Sequence, residues 1–309
     1  MKTVYLNKFM SSVVAELEMN GQYGTAHVCG SVLRSVMAFG GEGLPVSGIT
    51  PLWLKAYEGY LLHKGGKGLA WNTVSTYMRM LQAVYNRAVV RKLAAFIPHQ
   101  FRDVFTGRKA DHRRVLERDD MQKLLLDREP DITSPGMAWA RACLELMFRF
   151  HGMPFVDLAH LRKSDLKDGY LTLRRRKTGM PLSARVDGRA MQLLERYRNR
   201  DDTSPYLLCF LDGNLEGVAA YRDYQRILRL LNSRLRALAL WKKVQGKVTS
   251  YSARHTWATV GRYCHIPIEV ISEGLGHASV TTTEGYMKGF GNSRMDRANK
   301  VIMNYIFKG

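Results

Sequence analysis

Four segments in the first third of the chain carry apolar residues at the spacing of an amphipathic helix: 4–19, 25–39, 51–64 and 73–92. The pair Thr50-Pro51 marks a helix start, because a capping hydroxyl precedes a proline at the first helical position. Asn72 is placed to cap the fourth helix, and the glycine-rich run 64–68 ends the third. The pattern predicts a four-helix domain over residues 1–105.

The pattern changes at residues 106–114, which are polar, basic and without periodic apolar positions. We predict that they form a linker and that residues 115–309 form a second domain. There, residues alternate between apolar and polar over Tyr170–Leu173 and again over Pro181–Val186, which predicts a β-hairpin. Helices are predicted over residues 117–126, 134–150, 155–161, 187–199, 218–240, 252–263, 267–274, 279–288 and 293–306. The predicted fold class is mainly α with a small antiparallel β-sheet.

Composition adds a strong positive charge. The 309 residues hold 47 Lys and Arg against 27 Asp and Glu, a formal net charge of +20. Both parts are basic, with +6 over residues 1–105 and +14 over residues 106–309. Such a surplus of positive charge causes self-repulsion within the folded chain and favours a polyanionic partner. Because both domains are basic, we expect a nucleic acid that contacts both of them. On charge alone, a basic protein of the ribosomal type remains an alternative.

Several classes of protein are excluded. With 46% hydrophobic residues the chain has enough apolar side chains to form hydrophobic cores, which rules out a disordered protein. No apolar run approaches the length of about 18 residues that a membrane span needs, and acidic residues near the N-terminus argue against a signal peptide. The four cysteines are far apart and form no CxxC pair. We therefore expect no metal or other cofactor and a reduced, cytosolic protein.

The informative motifs lie towards the C-terminal end. They are YSARHTWAT at 251–259, GLGH at 274–277 and TTTEGY at 281–286. Arg254 stands 23 residues before His277, and Tyr286 follows that histidine by nine. In order and spacing these residues resemble the signature of the tyrosine recombinases, the phage-integrase-like site-specific recombinases. Lys177, in the predicted hairpin, stands where that family has its catalytic lysine. The resemblance implies a tyrosine-recombinase catalytic domain over residues 115–309, and the N-terminal helices match the family's SAM-like core-binding domain in size and helical character.

Cleavage of a phosphodiester without a metal needs positive groups around the transition state, a nucleophile, and an acid for the leaving oxygen. Tyr286 is the candidate nucleophile, and Arg254 is expected to hold a non-bridging oxygen through its planar fork. His277 is expected to donate to the same phosphate, and Lys177 to protonate the leaving 5′-oxygen. The resemblance implies a phosphotyrosyl link on the 3′ side. Because this link conserves the phosphodiester energy, rejoining needs no ATP.

The sequence departs from the family pattern at two positions. Where the family has a histidine before its second arginine, this chain has Tyr251, whose hydroxyl still donates a hydrogen bond but carries no positive charge at neutral pH. The family's box around its first catalytic arginine resembles residues 151–158, HGMPFVDL, and the arginine position falls on Pro154. Losing such a donor typically costs about 10²–10³ in rate. We expect a nearby base to fill the role, and the candidates in descending order are His151, Arg149 and Arg162.

DNA contacts are expected from basic residues close to these motifs. The candidates are Arg174, Arg175, Arg176, Arg149 and His255. The three consecutive arginines at the edge of the hairpin suit phosphate contacts. As basic neighbours of Lys177, they also leave open which group of the hairpin is the acid.

The resemblance implies a two-domain clamp on double-stranded DNA, with a homo-tetramer on two recombination sites exchanging strands through a Holliday junction. The predicted helix Arg294–Phe307 either docks on a neighbouring protomer, as in the family, or covers its own core. Because the first domain begins almost at residue 1, we expect no arm-binding module of the kind that many integrases have. This favours a recombinase of a mobile or invertible element, such as an invertase, resolvase or transposon enzyme. We expect no membrane association, a cytoplasmic location at the nucleoid, and accessory DNA-bending or directionality proteins.

Two alternatives to this reading of the site stay open. A type IB topoisomerase would share the nucleophile and fold but relax supercoils as a monomer, without a recombination site. A degenerate recombinase would bind DNA without cutting it. The proline at position 154, where the family has a catalytic arginine, supports this second alternative. Formation of a covalent adduct with a nicked substrate, and its loss in Tyr286→Phe, separates an enzyme from a binding module.

Overall fold

The computed structural model describes residues 3–109, 115–126, 134–277, 279–284 and 299. The chain divides into two compact units, one formed by Met1–Ala110 with Leu215–Tyr221 and the other by Asp111–Asn214 with Arg222–Gly309. In the part of the chain that is described, no helix is both long enough and apolar enough to cross a bilayer.

Over residues 3–109 the first unit has four described α-helices, which are α1 (Leu6–Met19), α2 (Tyr23–Gly40), α3 (Pro51–His63) and α4 (Trp71–Val90). Each turns an apolar stripe inward, as the spacing of its hydrophobic residues predicts. The stripes meet in one buried core, to which the four helices contribute Met10, Val32, Leu61 and Met78, among others. The predicted four-helix organisation is confirmed.

Two capping predictions for this unit have different outcomes. The Thr50 hydroxyl accepts a hydrogen bond from the Trp53 backbone N–H at 3.1 Å, so the predicted cap of α3 is confirmed. The cap at Asn72 is wrong, because α4 begins before this residue, with Ala70 as its N-cap. From the first turn of α4, the Asn72 side chain instead pairs with the backbone of Lys109, donating to its carbonyl and accepting from its N–H, both at 2.8 Å.

Replacing Thr50 with alanine is expected to destabilise α3 by about 1 kcal/mol, because an orphan N–H of the first turn loses its acceptor. Native-state hydrogen exchange of the α3 amides measures this cost as lost protection. Thr50→Ser keeps the hydroxyl and serves as the control. Equal protection in the alanine variant and the parent would contradict the capping role.

Residues 106–109, the described part of the predicted linker, are held against the first unit. The Ser75 hydroxyl on α4 donates to the Gly107 carbonyl at 2.6 Å. The paired hydrogen bonds between Asn72 and Lys109 extend this contact. The chain is therefore tied to α4 as far as Lys109, and the rest of the predicted linker lies outside the described residues.

The second unit is helical around a small sheet. Its described helices are α5 (Arg118–Leu125), α6 (Pro135–Arg149), α7 (Phe155–Ala159), α8 (Gly188–Arg196), α9 (Gly217–Trp241, whose first residues group with the first unit), α10 (Ser252–Tyr263), α11 (Ile268–Gly274) and α12 (Val280–Glu284). The sheet is antiparallel in the order β1-β2-β3, with β1 at Leu166–Lys167, β2 at Tyr170–Arg174 and β3 at Pro181–Arg185. The predicted hairpin is β2-β3, and the predicted fold class is confirmed. The strand β1 was not predicted, because two residues cannot display an alternating pattern. Apart from residue 299, the helix predicted over 293–306 lies outside the described residues, as does the end of the helix predicted over 279–288.

Helix α6 is the centre of the second unit. Its residues Ala140–Met147 are all buried, and α5, α7, α8 and α10 pack around it. Because α10 lies against this core, it carries polar side chains into the interior, including Arg254, His255 and Thr256. This burial places the sequence motif of α10 at the base of a site rather than on the surface.

Candidate active site

Arg254 is buried, with 2% of its surface exposed, and its guanidinium bridges two loops. Its Nη1 donates to the Gly152 carbonyl at 3.0 Å, and its Nη2 donates to the Leu275 carbonyl at 2.6 Å. Nη2 also lies 2.7 Å from Nε2 of His277. The motifs around residues 152 and 275 are therefore joined through this one guanidinium, which fixes its orientation.

The hydrogen bonds around His277 determine its tautomer. An arginine nitrogen can only donate, so Nε2 of His277 accepts from Arg254 and carries no proton. The proton lies on Nδ1, which donates to the Thr283 hydroxyl at 2.8 Å. In the free protein His277 is thus a neutral imidazole held between Arg254 and α12.

Burial and, to a smaller extent, the neighbouring positive charges of Arg254 and Arg175 together lower the pKa of His277 to about 3. A bound phosphodiester would add a negative charge beside these two arginines. It would therefore raise the pKa of His277 towards its ordinary value and favour an imidazolium that donates to the phosphate.

We expect the His277 imidazole to stay neutral, as the Nδ1–H tautomer, from pH 8 to about pH 5. Because its pKa is lower in the folded than in the unfolded chain, this histidine makes folding progressively less favourable as the pH falls below about 6.5. Nitrogen NMR of the labelled imidazole, assigned with His277→Asn, measures both tautomer and charge. A resonance that titrates near pH 6.5 would contradict the assignment.

Arg175 reaches the same place from the hairpin. It follows the last residue of β2 and is 5% exposed. Its Nε donates to the Asp157 carboxylate at 3.1 Å, and its Nη1 donates to the carbonyls of Leu275 and Gly276, the second at 3.0 Å. Arg175 and Arg254 thus donate to the same Leu275 oxygen. Two guanidinium groups meet beside one imidazole.

Two glycines make this convergence possible. Gly276 has a φ of +61°, and a Cβ there would lie 2.5 Å from the Arg175 Cδ. Gly152 has a φ of +67°, and a Cβ there would lie 2.9 Å from the Arg254 Cα. The left-handed backbone and the close approach of the arginines both require the absence of a side chain. The Leu-Gly-His motif therefore shapes the site as well as supplying a histidine.

Asp157 is the carboxylate that organises the hairpin side of the site. It is 2% exposed on α7, and its second oxygen accepts the Arg176 backbone N–H at 2.9 Å. One buried carboxylate thus anchors both the Arg175 side chain and the turn that follows it. The sequence box around residue 157 was noted for its match to the family, but its partner in the hairpin was not predicted.

The proposed substitutes for the missing arginine lie in different surroundings. His151 adopts a φ of 56°, its ring centroid lies 5.6 Å from that of Trp257, and its Nδ1 is buried without a hydrogen-bond partner. Burial lowers the pKa of His151. Arg149 forms ion pairs with Glu145 at 2.9 Å and Asp187 at 2.5 Å.

The remaining predicted site residues differ in their exposure to solvent. Lys177 and Arg176 are exposed in the turn after β2, and Arg174 is exposed at the end of that strand. Tyr251 is the N-cap of α10 and is 42% exposed, with its ring centroid 6.4 Å from that of His255, which is 8% exposed. Arg162 precedes a short 3-10 helix, and its backbone N–H is bound by Asp165. Tyr286 lies outside the described residues.

The described side chains therefore form a compact, positively charged cradle of two arginines and a neutral imidazole. Backbone carbonyls and one carboxylate hold the arginines in place, so little reorganisation is needed when an anion binds. No group of three or more His, Cys, Asp or Glu close enough to hold a metal ion occurs among the residues that the structure describes. The arrangement can stabilise a phosphate oxyanion with side chains alone.

Comparison with known families identifies the class of this fold and site. A model of the phage integrase SAM-like domain matches residues 5–102, and the model of the phage integrase family matches residues 114–290. The chain belongs to the phage integrase family, the tyrosine recombinases, which are enzymes that cut and rejoin DNA. The predicted order of a SAM-like helical domain followed by a tyrosine-recombinase catalytic domain is confirmed.

Individual relatives agree with this assignment. The tyrosine recombinase XerA of Pyrococcus furiosus is 29% identical over 140 residues, which cover 44% of this chain and 46% of that protein. The putative integrase/recombinase y4gC of Sinorhizobium fredii is 26% identical over 180 residues, covering 56% of this chain and 88% of the relative. The matched region thus spans about half the length of XerA.

Solved structures share the fold over nearly the whole chain. A lambda integrase dimer bound to a COC′ core site has a TM-score of 0.66 at 18% identity, covering 94% of this chain and 97% of that one. The Tn1549 transposon integrase in complex with transposon right end DNA has a TM-score of 0.66 at 16% identity, covering 98% and 99%. At these identities the likeness establishes the fold.

Proposed function

We propose that the protein is a site-specific DNA recombinase that works through a covalent tyrosyl intermediate. The phenol of Tyr286 gives up its proton to water, and its oxygen attacks a backbone phosphorus and forms a new P–O bond, while the bond from phosphorus to the 5′-oxygen breaks. The products are a 3′-phosphotyrosyl link and a free 5′-hydroxyl, and attack by another 5′-hydroxyl reverses the step. The cradle of Arg254, Arg175 and His277, in a family whose nucleophile position corresponds to Tyr286, is the observation that carries this proposal.

The side chains divide the work by position. Arg254 holds a non-bridging oxygen, since its fork is already fixed by two carbonyls. His277 donates to the same phosphate once the bound anion has raised its pKa. Lys177, at the exposed tip of the hairpin, gives the proton that the leaving 5′-oxygen takes up. Tyr251, at the start of α10, donates a hydrogen bond at the rim.

The natural partner in this proposal is double-stranded DNA of a mobile or invertible element. A net charge of +20 supports a polyanionic partner. A lambda integrase tetramer bound to a Holliday junction shares the fold, with a TM-score of 0.62 at 17% identity. We propose the same arrangement here, with four protomers on two sites of nucleoid DNA in the cytoplasm, assisted by DNA-bending or directionality proteins.

Trapping the intermediate tests this function. Duplexes selected for binding from a randomised library define the site, and a nick placed next to the cut lets the short fragment diffuse away, so that a covalent adduct accumulates. An adduct that survives denaturing electrophoresis supports the recombinase. Tight binding without an adduct would instead identify a DNA-binding module. Relaxation of any supercoiled plasmid by a monomer would identify a topoisomerase.

A further inference from the structure

Arginines from elsewhere in the fold form hydrogen bonds with both ends of the segment from Gly152 to Asp157. Arg254 binds the carbonyl of Gly152, and Arg175 binds the carboxylate of Asp157. Pro154, which has no side-chain donor and occupies the position where the family has its first arginine, lies between them as the N-cap of α7. The family's first arginine is missing at Pro154, but the residues on either side of this position are bound by guanidinium groups from other elements of the fold.

The guanidinium of Arg175 has a hydrogen-bonding group to spare. Its Nε is engaged by Asp157, and its Nη1 by the carbonyls of Leu275 and Gly276. No described residue accepts a hydrogen bond from its Nη2, and this nitrogen is not enclosed in the protein. The side chain is thus clamped on three acceptors with two N–H groups of Nη2 available to an anion.

The fold is built to hold Arg175 in this position. The hairpin turn is closed by hydrogen bonds from the Arg175 N–H to the Met180 carbonyl at 2.9 Å and from the Gly179 N–H to the Arg175 carbonyl at 2.8 Å. Gly276 leaves the space that the Arg175 side chain occupies. Arg174 and Arg176 lack this enclosure and are exposed. The middle arginine of the three is therefore distinct from its neighbours.

The other candidates fit the role less well. Burial lowers the pKa of His151, so it is neutral at pH 7 and supplies no positive charge. Arg149 is bound to two carboxylates, Glu145 and Asp187, which offset its charge. Arg175 keeps the geometry of a planar fork, which matches a phosphate better than a single-point donor does.

We propose that Arg175 replaces the arginine that is absent at Pro154, binding a non-bridging oxygen of the scissile phosphate beside Arg254, with Asp157 as its positioning residue. This inference rests on the proposed recombinase function. It moves Arg175 from the expected set of peripheral DNA contacts into the catalytic site. No bond of Arg175 changes in the reaction, because its guanidinium only stabilises the negative charge on phosphorus-bound oxygen.

A substrate with an uncharged phosphorus centre tests the role directly. Single-turnover adduct formation is measured with the nicked duplex and with the same duplex carrying a methylphosphonate at the cut. Arg175→Gln is expected to lower the rate on the phosphate by about 10²–10³-fold. On the methylphosphonate, which has no anionic oxygen to neutralise, most of this defect should disappear. An equal defect on both substrates would overturn the proposal, because a structural role does not depend on substrate charge.

Two further variants guard against misfolding. Removing Arg175 alone leaves the Asp157 carboxylate buried without its partner, so the same rates are measured for Asp157→Asn/Arg175→Gln, in which both charges are gone. The double variant must show the same substrate dependence, and a uniform defect in it would also overturn the proposal. Arg198→Gln, which removes an ion pair with Glu195, is the control and should cleave like the parent. A parent protein that forms no adduct would instead refute the recombinase function itself.

Discussion

Replacing Tyr286 with phenylalanine is expected to abolish the covalent protein–DNA adduct while leaving the dissociation constant for the duplex essentially unchanged. The substitution removes one oxygen, which is the atom that bonds to phosphorus, and keeps the ring. A loss of more than about 10⁴-fold in the rate of adduct formation is expected, on the scale observed when a covalent nucleophile is removed from an enzyme. Denaturing electrophoresis of the nicked duplex measures the adduct, and gel retardation measures binding.

Tyr263 offers a matched control for this substitution. It lies at the end of α10, in the same unit, and has no role in the proposed chemistry. Tyr263→Phe should therefore form the adduct at the parental rate. Adduct formation that survives in Tyr286→Phe would mean that a different residue attacks the DNA.

Replacing Arg254 with alanine is expected to damage both stability and cleavage. The buried guanidinium donates to the carbonyls of Gly152 and Leu275 and to His277, and its loss removes all three hydrogen bonds, although the Leu275 carbonyl still accepts from Arg175. A cost of about 1–3 kcal/mol is typical for a buried acceptor left unsatisfied. Cleavage should fall by about 10²–10³-fold or more, because a fixed donor to the phosphate is lost. Thermal unfolding measures the loss of stability, and single-turnover cleavage at a temperature below the lower of the two melting temperatures measures the loss of activity.

Arg254→Lys distinguishes positive charge from geometry. Lysine keeps the charge but has no planar fork with which to span Gly152, Leu275 and the phosphate together. We expect its stability to lie between those of the parent and Arg254→Ala, while its cleavage rate stays close to that of the alanine variant. A lysine variant that cleaves at the parental rate would show that charge alone is sufficient.

Much of the fold follows from hydrophobic periodicity. The four helices of the first unit and the hairpin β2-β3 lie where apolar spacing predicts them, because each element must bury one stripe or one face. The strand β1 and the pairing of Asn72 with Lys109 were not predictable in this way. Both depend on partners elsewhere in the chain, which local patterns do not contain.

The sequence also indicated that Arg254 and His277 belong to one site, since their spacing matches a family motif, and the structure brings them to 2.7 Å. It did not distinguish Arg175 from the arginines on either side. One local signal was available, because Leu171, Leu173 and Arg175 occupy alternate positions, and the first and last of these are buried. The inward face of β2 therefore continues into Arg175.

The prediction that His151 is the first substitute for the missing arginine could not be assessed from sequence. His151 can replace an arginine only if its imidazole carries a positive charge. Burial beside Trp257 lowers the pKa of the imidazole and so favours its neutral form. Similarly, the role of Asp157 in positioning Arg175 depends on a contact between residues that are 18 positions apart in the chain. Motif matching gives residue types, whereas the electrostatics of the site come from packing.

The most direct test of this account is to identify the atom that holds the DNA. The adduct trapped on a nicked duplex is digested with protease and nuclease, and the modified peptide is sequenced by mass spectrometry. The account predicts a nucleotide joined through its 3′-phosphate to the Tyr286 oxygen. A nucleotide on another side chain, or one joined through its 5′-phosphate, would contradict it.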